Sequence, residues 1–280
     1  MLAGNSGGAW MSPRGRQPNN GRNLAYGGFW PVVMVTGCAL LGGGALPAMA
    51  DQGTKQSFAN IEQISDVLAR TRLAQSGAGN QVKIIQDGKN LVVDAYVQGQ
   101  MNRASDRANT ITQTGDGATA EVSVVGDENT FSISQSAVDG PGQNSASVTM
   151  KGDFNSADVR QTNDFGPTYS NTARLVQTGN GNSGAIAQTI APGTLAAAEN
   201  FGSITQTGDD NSALIEQTGA DNSAAIEQDG DRNRGAILQD GEGLSAVLVQ
   251  TGTALEYTIN QTGCVISSGC GAVSVTQSGP

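Results

Sequence analysis

Carboxamides recur in this chain at a spacing that no isolated motif explains. Gln206, Gln217, Gln228 and Gln239 stand eleven residues apart, and Asn211, Asn222 and Asn233 each follow a glutamine by five. A carboxamide both donates and accepts, so amides held one above another satisfy each other away from water. The catalytic alternatives lack their parts. The sequence has no histidine, which removes Ser-His and Cys-His nucleophile pairs. Asp209, Asp210, Asp221, Asp229 and Asp231 fall in Gly-rich stretches such as "TGDD" and "DGDR". Solvated turn residues that oppose sideways aggregation are the expectation there, not paired acid–base catalysts. "GDG" and "GNGN" are not followed by Lys-Ser/Thr and read as turns, not phosphate loops. Cys264 and Cys270, without any histidine, leave a zinc ion short of ligands, so no metal and no cofactor is expected, and no enzyme.

The repeating unit is Q-x-G-x-x-N-x-A-x-I-x, clearest from Gln206 to Gln261. Outward from there the glutamine position recurs at Gln75, Gln86, Gln98, Gln113, Gln135, Gln161, Gln177, Gln188, Gln250, Gln261 and Gln277, with Val124 and Met150 in two degenerate units. The asparagine position recurs at Asn80, Asn129, Asn155 and Asn182. Extra residues follow Gln98, Gln135, Gln161, Gln188 and Gln261, yet blocks such as "NSASVTM", "NTARLVQ" and "NFGSITQ" keep their pattern. Insertions are tolerated in loops and excluded where register matters, so the seven-residue block is the structured element.

That block alternates. In "NSALIEQ", Asn211, Ala213, Ile215 and Gln217 share one face, and Ser212, Leu214 and Glu216 the other. Period two predicts a strand, and Gly and Asn every eleven residues supply turns and break any helix. Two strands and two turns make a flattened coil of about 22 residues, and coils stack through parallel strands about 4.8 Å apart. The expected fold is all-β, a parallel two-sheet β-solenoid of about eight coils. The amides share a face with Ala, Ile and Val and so belong inside, as ladders; Asp94 and Arg107 run against this rule. Successive turns alternate between two edges, so one edge should carry most of the long insertions. The chain stops at "AVSVTQSGP", with nothing left to cover the last strand, whereas "FANIEQISDVLARTRLA" is irregular. The C-terminal end is therefore the expected growing end.

The organisation follows. Residues 1–50 read as a signal peptide: Arg14, Arg16 and Arg22 precede the apolar run "FWPVVMVTGCALLGGGA", and Ala48 and Ala50 suit cleavage before Asp51. Translation from Met11 and lipoprotein processing at Cys38 of "VTGC" stay open. Residues 51–68 form an irregular N-terminal segment and residues 69–280 the solenoid. Without the leader, 12 basic and 25 acidic residues give a charge of −13. That balance argues against nucleic acid as a partner. Cys264 and Cys270 form an even pair in an exported chain, which predicts a disulfide.

The spacing Q-x4-N-x5-Q in "QTGDDNSALIEQ" and "QTGADNSAAIEQ" resembles the strand-loop-strand repeat of curlins, the subunits of bacterial curli fibres. The resemblance spans about residues 69–280 and is sharpest in the last third. It implies secretion through the periplasm to the cell surface or matrix, functional amyloid, and a biofilm role. It also implies as partners the chain itself, a second curlin subunit, and an outer-membrane export pore with its accessory proteins. The number of repeats, the irregular insertions and the Cys264/Cys270 pair depart from the family. Two other classes fit less well. A calcium-binding β-roll wants GGxGxD at a nine-residue period. A monomeric solenoid adhesin wants capped ends.

Overall fold

The computed structural model describes residues 34–35, 57–64, 68–103, 108–137, 143–163, 169–190, 198–263 and 270–279. Among these there are nineteen strands and no helix. After the two-residue β1 (Met34–Val35) come β2 (Phe58–Gln63), β3 (Arg70–Ser76), β4 (Gln81–Lys89), β5 (Val92–Gln98), β6 (Asn109–Asp116), β7 (Thr119–Val125), β8 (Thr130–Ala137), β9 (Gln143–Lys151) and β10 (Ser156–Asn163). The series continues with β11 (Tyr169–Thr178), β12 (Ser183–Ile190), β13 (Ala198–Thr207), β14 (Ser212–Ala220), β15 (Ser223–Asp229), β16 (Arg234–Glu242), β17 (Ser245–Thr251), β18 (Glu256–Thr262) and β19 (Ala272–Ser278). The even strands, with β1 at one end, form a ten-stranded sheet; the odd strands from β3 form a nine-stranded one. All pairing is parallel, as a coil that climbs by one strand per sheet per turn requires.

Each repeat block offers three inward positions after the asparagine position. In the ten-stranded sheet the middle position is isoleucine in β2, β4, β6, β8, β12, β14, β16 and β18, and Val159 in β10. Facing it, the corresponding position of the nine-stranded sheet is small from β7 to β17: Ala120, Ala146, Ala173, Gly202, Ala224 and Ala246. Small opposite large brings the sheets together. A Cβ built on Gly202 would lie 2.9 Å from Ile186 Cγ2. The Ile, Val, Leu and Ala columns merge into one buried core along the solenoid.

The coil is 22 residues where the sequence is regular, with Gln217, Gln239 and Gln261 in register. Elsewhere the expected 22 is exceeded: Gln135 to Gln161 is 26, Gln161 to Gln188 is 27 and Gln188 to Gln217 is 29. The strands stay in register because the extra residues fall between them. The connections leaving β8, β10, β12 and β18 all run from the ten-stranded to the nine-stranded sheet, on one edge; the one leaving β5 runs the other way. Beside the insertion edge, Tyr169, Ile190, Ala198 and Ala220 form a small second core.

Two expectations differ from the structure. The segment 51–68, read as irregular, contains β2, which pairs in full register with β4 from Phe58↔Gln81 to Gln63↔Gln86. Its "FANIEQ" carries the repeat's Ala-x-Ile-x-Gln face, with only the asparagine missing. The second difference is a slip of one residue. Val97, not Gln98, stands above Gln75, and Gln98 is exposed beside Ser76. This removes the conflict at Asp94. Because neighbouring residues point to opposite faces, the slip turns Val93, Ala95 and Val97 inward and Asp94 outward, within 3.9 Å of Arg72. Arg107 and the leader (Met34 and Val35 apart), including Met11 and Cys38, lie outside the described residues.

Candidate functional site

The glutamine column of the ten-stranded sheet runs unbroken through Gln63, Gln86, Gln113, Gln135, Gln161, Gln188, Gln217, Gln239 and Gln261. At each step Nε2 of one glutamine donates to Oε1 of the next toward the C-terminus, at 2.8–2.9 Å. The second Nε2 hydrogen crosses the coil to a backbone carbonyl at the second residue of the facing repeat block or its equivalent. Gln135 reaches Thr119, Gln188 reaches Thr172 and Gln239 reaches Ser223. One amide thus ties its own sheet along the axis and the two sheets together.

The nine-stranded sheet carries the same arrangement in its C-terminal half only. Gln177, Gln206, Gln228, Gln250 and Gln277 pass Nε2–Oε1 bonds in the same direction, at 2.8–2.9 Å. Below Gln177 the column is Met150, Val124 and Val97, and below those stands Gln75. The gap has a local consequence. Met150 has no N–H to give, and Gln177 Oε1 is buried without a hydrogen bond. Among the described residues Gln75 has Val97 as its only strand neighbour in the column, and neither its Oε1 nor its Nε2 has a hydrogen-bond partner, although the residue is only 1% exposed.

The asparagines do different work at the turns. Asn80, Asn129, Asn155, Asn182, Asn211 and Asn233 are buried at the end of the tight turns that lead into the even strands. Each Oδ1 accepts a backbone N–H one coil on. Asn182 N donates to Asn155 Oδ1, Asn211 N to Asn182 Oδ1 and Asn233 N to Asn211 Oδ1. Each Nδ2 donates to the turn glycine of the next coil, as Asn155 does to Gly179 and Asn211 to Gly230, at 2.8 and 2.7 Å. Asn222 holds the opposite edge, with its Nδ2 on Gly241 and its Oδ1 accepting from Leu244 N. Turn glycine is required here. Gly230 has φ +120°, and a Cβ on it would lie 2.0 Å from the carbonyl oxygen of Gly252.

Sequence reasoning missed several members of these rows. Asn102 continues the first asparagine row between Asn80 and Asn129. Asn144, Asn171 and Asn200 form the second row below Asn222, through Nδ2–Oδ1 bonds of 3.2 Å. The last three open the very blocks "NSASVTM", "NTARLVQ" and "NFGSITQ" that fixed the strand register, so their signal was in the text. Gln63 was missed with β2. Of the expected disulfide pair, Cys264 lies outside the described residues, and Cys270 stands just before β19.

The C-terminal coil is open. No described strand pairs with the far sides of β18 and β19. The first inward position of each is uncovered: Tyr257 is 41% exposed and Val273 37%, whereas Ala246, one coil below Val273, is 1% exposed; Ile259 stays buried. Among the described residues no group of three His, Cys, Asp or Glu is placed to hold a metal ion. Among the described residues the candidate functional features are therefore two amide columns and a sheet end whose outer edge no described strand pairs with. The curlin associated repeat matches residues 197–230, from β13 through β15, which hold Gln206, Gln217 and Gln228. Neither a curated protein nor a solved structure matches the chain.

Proposed function

We propose that this chain, which carries a curlin associated repeat, is a secreted structural subunit that polymerises into extracellular amyloid fibres of a biofilm matrix. The observation that carries the reading is the open last coil. Its backbone N–H and C=O groups and its two inward glutamines continue the layout of the coils directly beneath it. An incoming chain that pairs there buries its Ala, Ile and Val face and lengthens both glutamine columns, which is templated strand addition. The leader-like residues 1–50 support export through the periplasm, and the resemblance supports an outer-membrane pore and a second subunit as partners. Few aromatics and many glycines suit a chain that stays unfolded until it meets a template. Histidine is absent from the sequence, and curlins are structural proteins, which fits a role without catalysis.

The test is to release residues 51–280 from denaturant and follow thioflavin fluorescence, electron microscopy and fibre diffraction. Fibres with a meridional reflection near 4.8 Å are expected. A chain that stays a soluble monomer at every concentration would overturn the reading and favour a surface adhesin.

A further inference from the structure

The amide columns have a direction, and the direction makes the two ends of the molecule complementary. In all twelve Gln–Gln bonds the donor is nearer the N-terminus and the acceptor nearer the C-terminus. The C-terminal coil therefore ends in two amide nitrogens with no glutamine above them. Gln261 Nε2 turns to the carbonyls of Ser245 and Gly271, and Gln277 Nε2 makes a single long contact of 3.4 Å with the carbonyl of Glu256. The N-terminal coil begins with two amide oxygens. Gln63 donates to Gln86 and Thr71 but accepts from neither, and Gln75 Oε1 is buried with no donor.

Gln75 is the residue that its own chain does not explain. Val97, Val124 and Met150 show that this column is packed without amides over three consecutive strands. A fourth apolar residue at position 75 would extend that packing and leave nothing unsatisfied. A buried amide without partners weakens the chain that holds it unless something outside the chain completes it.

We infer that the N-terminal coil is the docking surface for the C-terminal coil of a second copy, in a fixed register. Gln277 of one copy donates to Gln75 of the next, and Gln261 to Gln63. The inference rests on the polymerisation reading above and adds the polarity and the contact residues. The same register sets Val275 on Leu73 and Ile259 on Ile61, so the aliphatic columns continue across the joint. Joining two like ends would set donor against donor or acceptor against acceptor, and growth is therefore head to tail. β1 pairs with the outer side of β2 through Met34 and Val35, so the outer edge of β2, one half of the receiving face, opens when residues 1–50 leave. Apart from that pairing, every strand pair lies within residues 57–279, so the chain freed of residues 1–50 retains the solenoid.

Within one copy, β3 and β19 are eight strand spacings apart, roughly 38 Å at about 4.8 Å each. Side chains so distant do not couple inside a molecule, so any coupling between positions 75 and 277 is between copies. Seeded growth rates of the chain freed of residues 1–50 test this at neutral pH for wild type, Gln75→Glu, Gln277→Glu, Gln277→Lys and the two doubles built on Gln75→Glu. The Glu/Glu double should grow at least roughly tenfold more slowly than the product of the single effects, and the Glu/Lys double should grow faster than either of its singles. Rescue by the opposite charge is not an outcome that misfolding produces. Single effects that simply multiply, with no rescue, while wild type forms fibres, would overturn the register and leave the fibre reading standing. A wild-type chain that forms no fibres would overturn both.

Discussion

Gln217 is the most informative position for testing whether the amides are interior. It is 1% exposed. Its Oε1 accepts from Gln188 at 2.8 Å, and its Nε2 donates to Gln239 at 2.9 Å and to the Phe201 carbonyl at 3.0 Å. Glutamate has the same shape and loses both donors. When ionised it faces two acceptors with no hydrogen to offer, inside an apolar column. Burial then raises its pKa, by about 3 units for a fully buried carboxyl, which at about 1.36 kcal/mol per unit makes the ionised form about 4 kcal/mol less favourable. The sign follows from linkage. The folded state binds the proton more tightly than the unfolded chain. Stability is therefore complete below the unfolded carboxyl value of about 4.3 and declines as pH rises from there toward the raised folded value. Once protonated, the carboxyl donates to Gln239 again, and only the bond to Phe201 is lost, about 1 kcal/mol. Gln217→Glu should thus be about 1 kcal/mol less stable than wild type at about pH 4 and about 4 kcal/mol less stable at pH 7, where the penalty is not yet complete. Gln217→Leu strands one Nε2 hydrogen of Gln188 and Oε1 of Gln239 but gains an apolar side chain. Its net loss should be about 1–3 kcal/mol at both pH values. The assay is urea unfolding of the far-UV β signal, read as the difference from wild type so that the other carboxylates cancel. A Glu variant whose difference from wild type does not change with pH would place the side chain in water and refute the ladder. The same reasoning applied to Gln217, Gln228 and Gln239 together predicts that the triple Glu variant makes no fibres at neutral pH and regains some on acidification.

Three further outcomes are expected. Gly230→Ala should cost more than about 3 kcal/mol in urea unfolding, because its Cβ meets the Gly252 carbonyl; Gly243→Ala, with nothing within 4 Å of its Cβ and φ +66°, should cost about 1–2 kcal/mol. Val97→Asp should prevent folding, and Gln98→Asp should stay within about 0.5 kcal/mol of wild type, since the slip places Val97 inside and Gln98 outside. Cys264 and Cys270 are proposed to be joined, so thiol labelling and mass spectrometry of exported protein should find neither sulfur free; two free thiols would end that proposal.

What the sequence revealed, and what it hid, depends on how many residues vote for a register. From Gln206 to Gln261 the Gln, Asn, Ala and Ile positions of each unit agree, and the strands, the two faces and the 22-residue coil are all legible there. Near Gln98 the glutamine alone carries the repeat signal. A glutamine at the end of a strand sits equally well outside, and Val93, Ala95 and Val97 are the better guide because apolar burial outweighs a surface amide. β2 escaped notice because it lacks the asparagine and the turn before it, although Ala59, Ile61 and Gln63 carry the inward pattern. The small core of Tyr169, Ile190, Ala198 and Ala220 was not legible at all, since it joins residues beside insertions that obey no period. The direction of the amide bonds is likewise absent from any spacing; it emerges only when each Nε2 is assigned its second partner across the coil.

The alternation of sheets also fixes the quantum in which such a chain can change length. Deleting residues 212–233 would remove one whole coil. Gln188 would then meet Gln239, and Gln206 would meet Gln250, with every later strand in its original sheet. Deleting residues 212–222 alone would preserve the core almost as well, because Ala224, Ile226 and Gln228 replace Ala213, Ile215 and Gln217 in kind. Every strand after the cut would nevertheless change sheet. The connection leaving β18 would then move to the opposite flank from those leaving β8, β10 and β12. Gains or losses of single units are thus nearly silent for packing but not for sidedness, and only duplication or loss in pairs keeps the insertions on one flank.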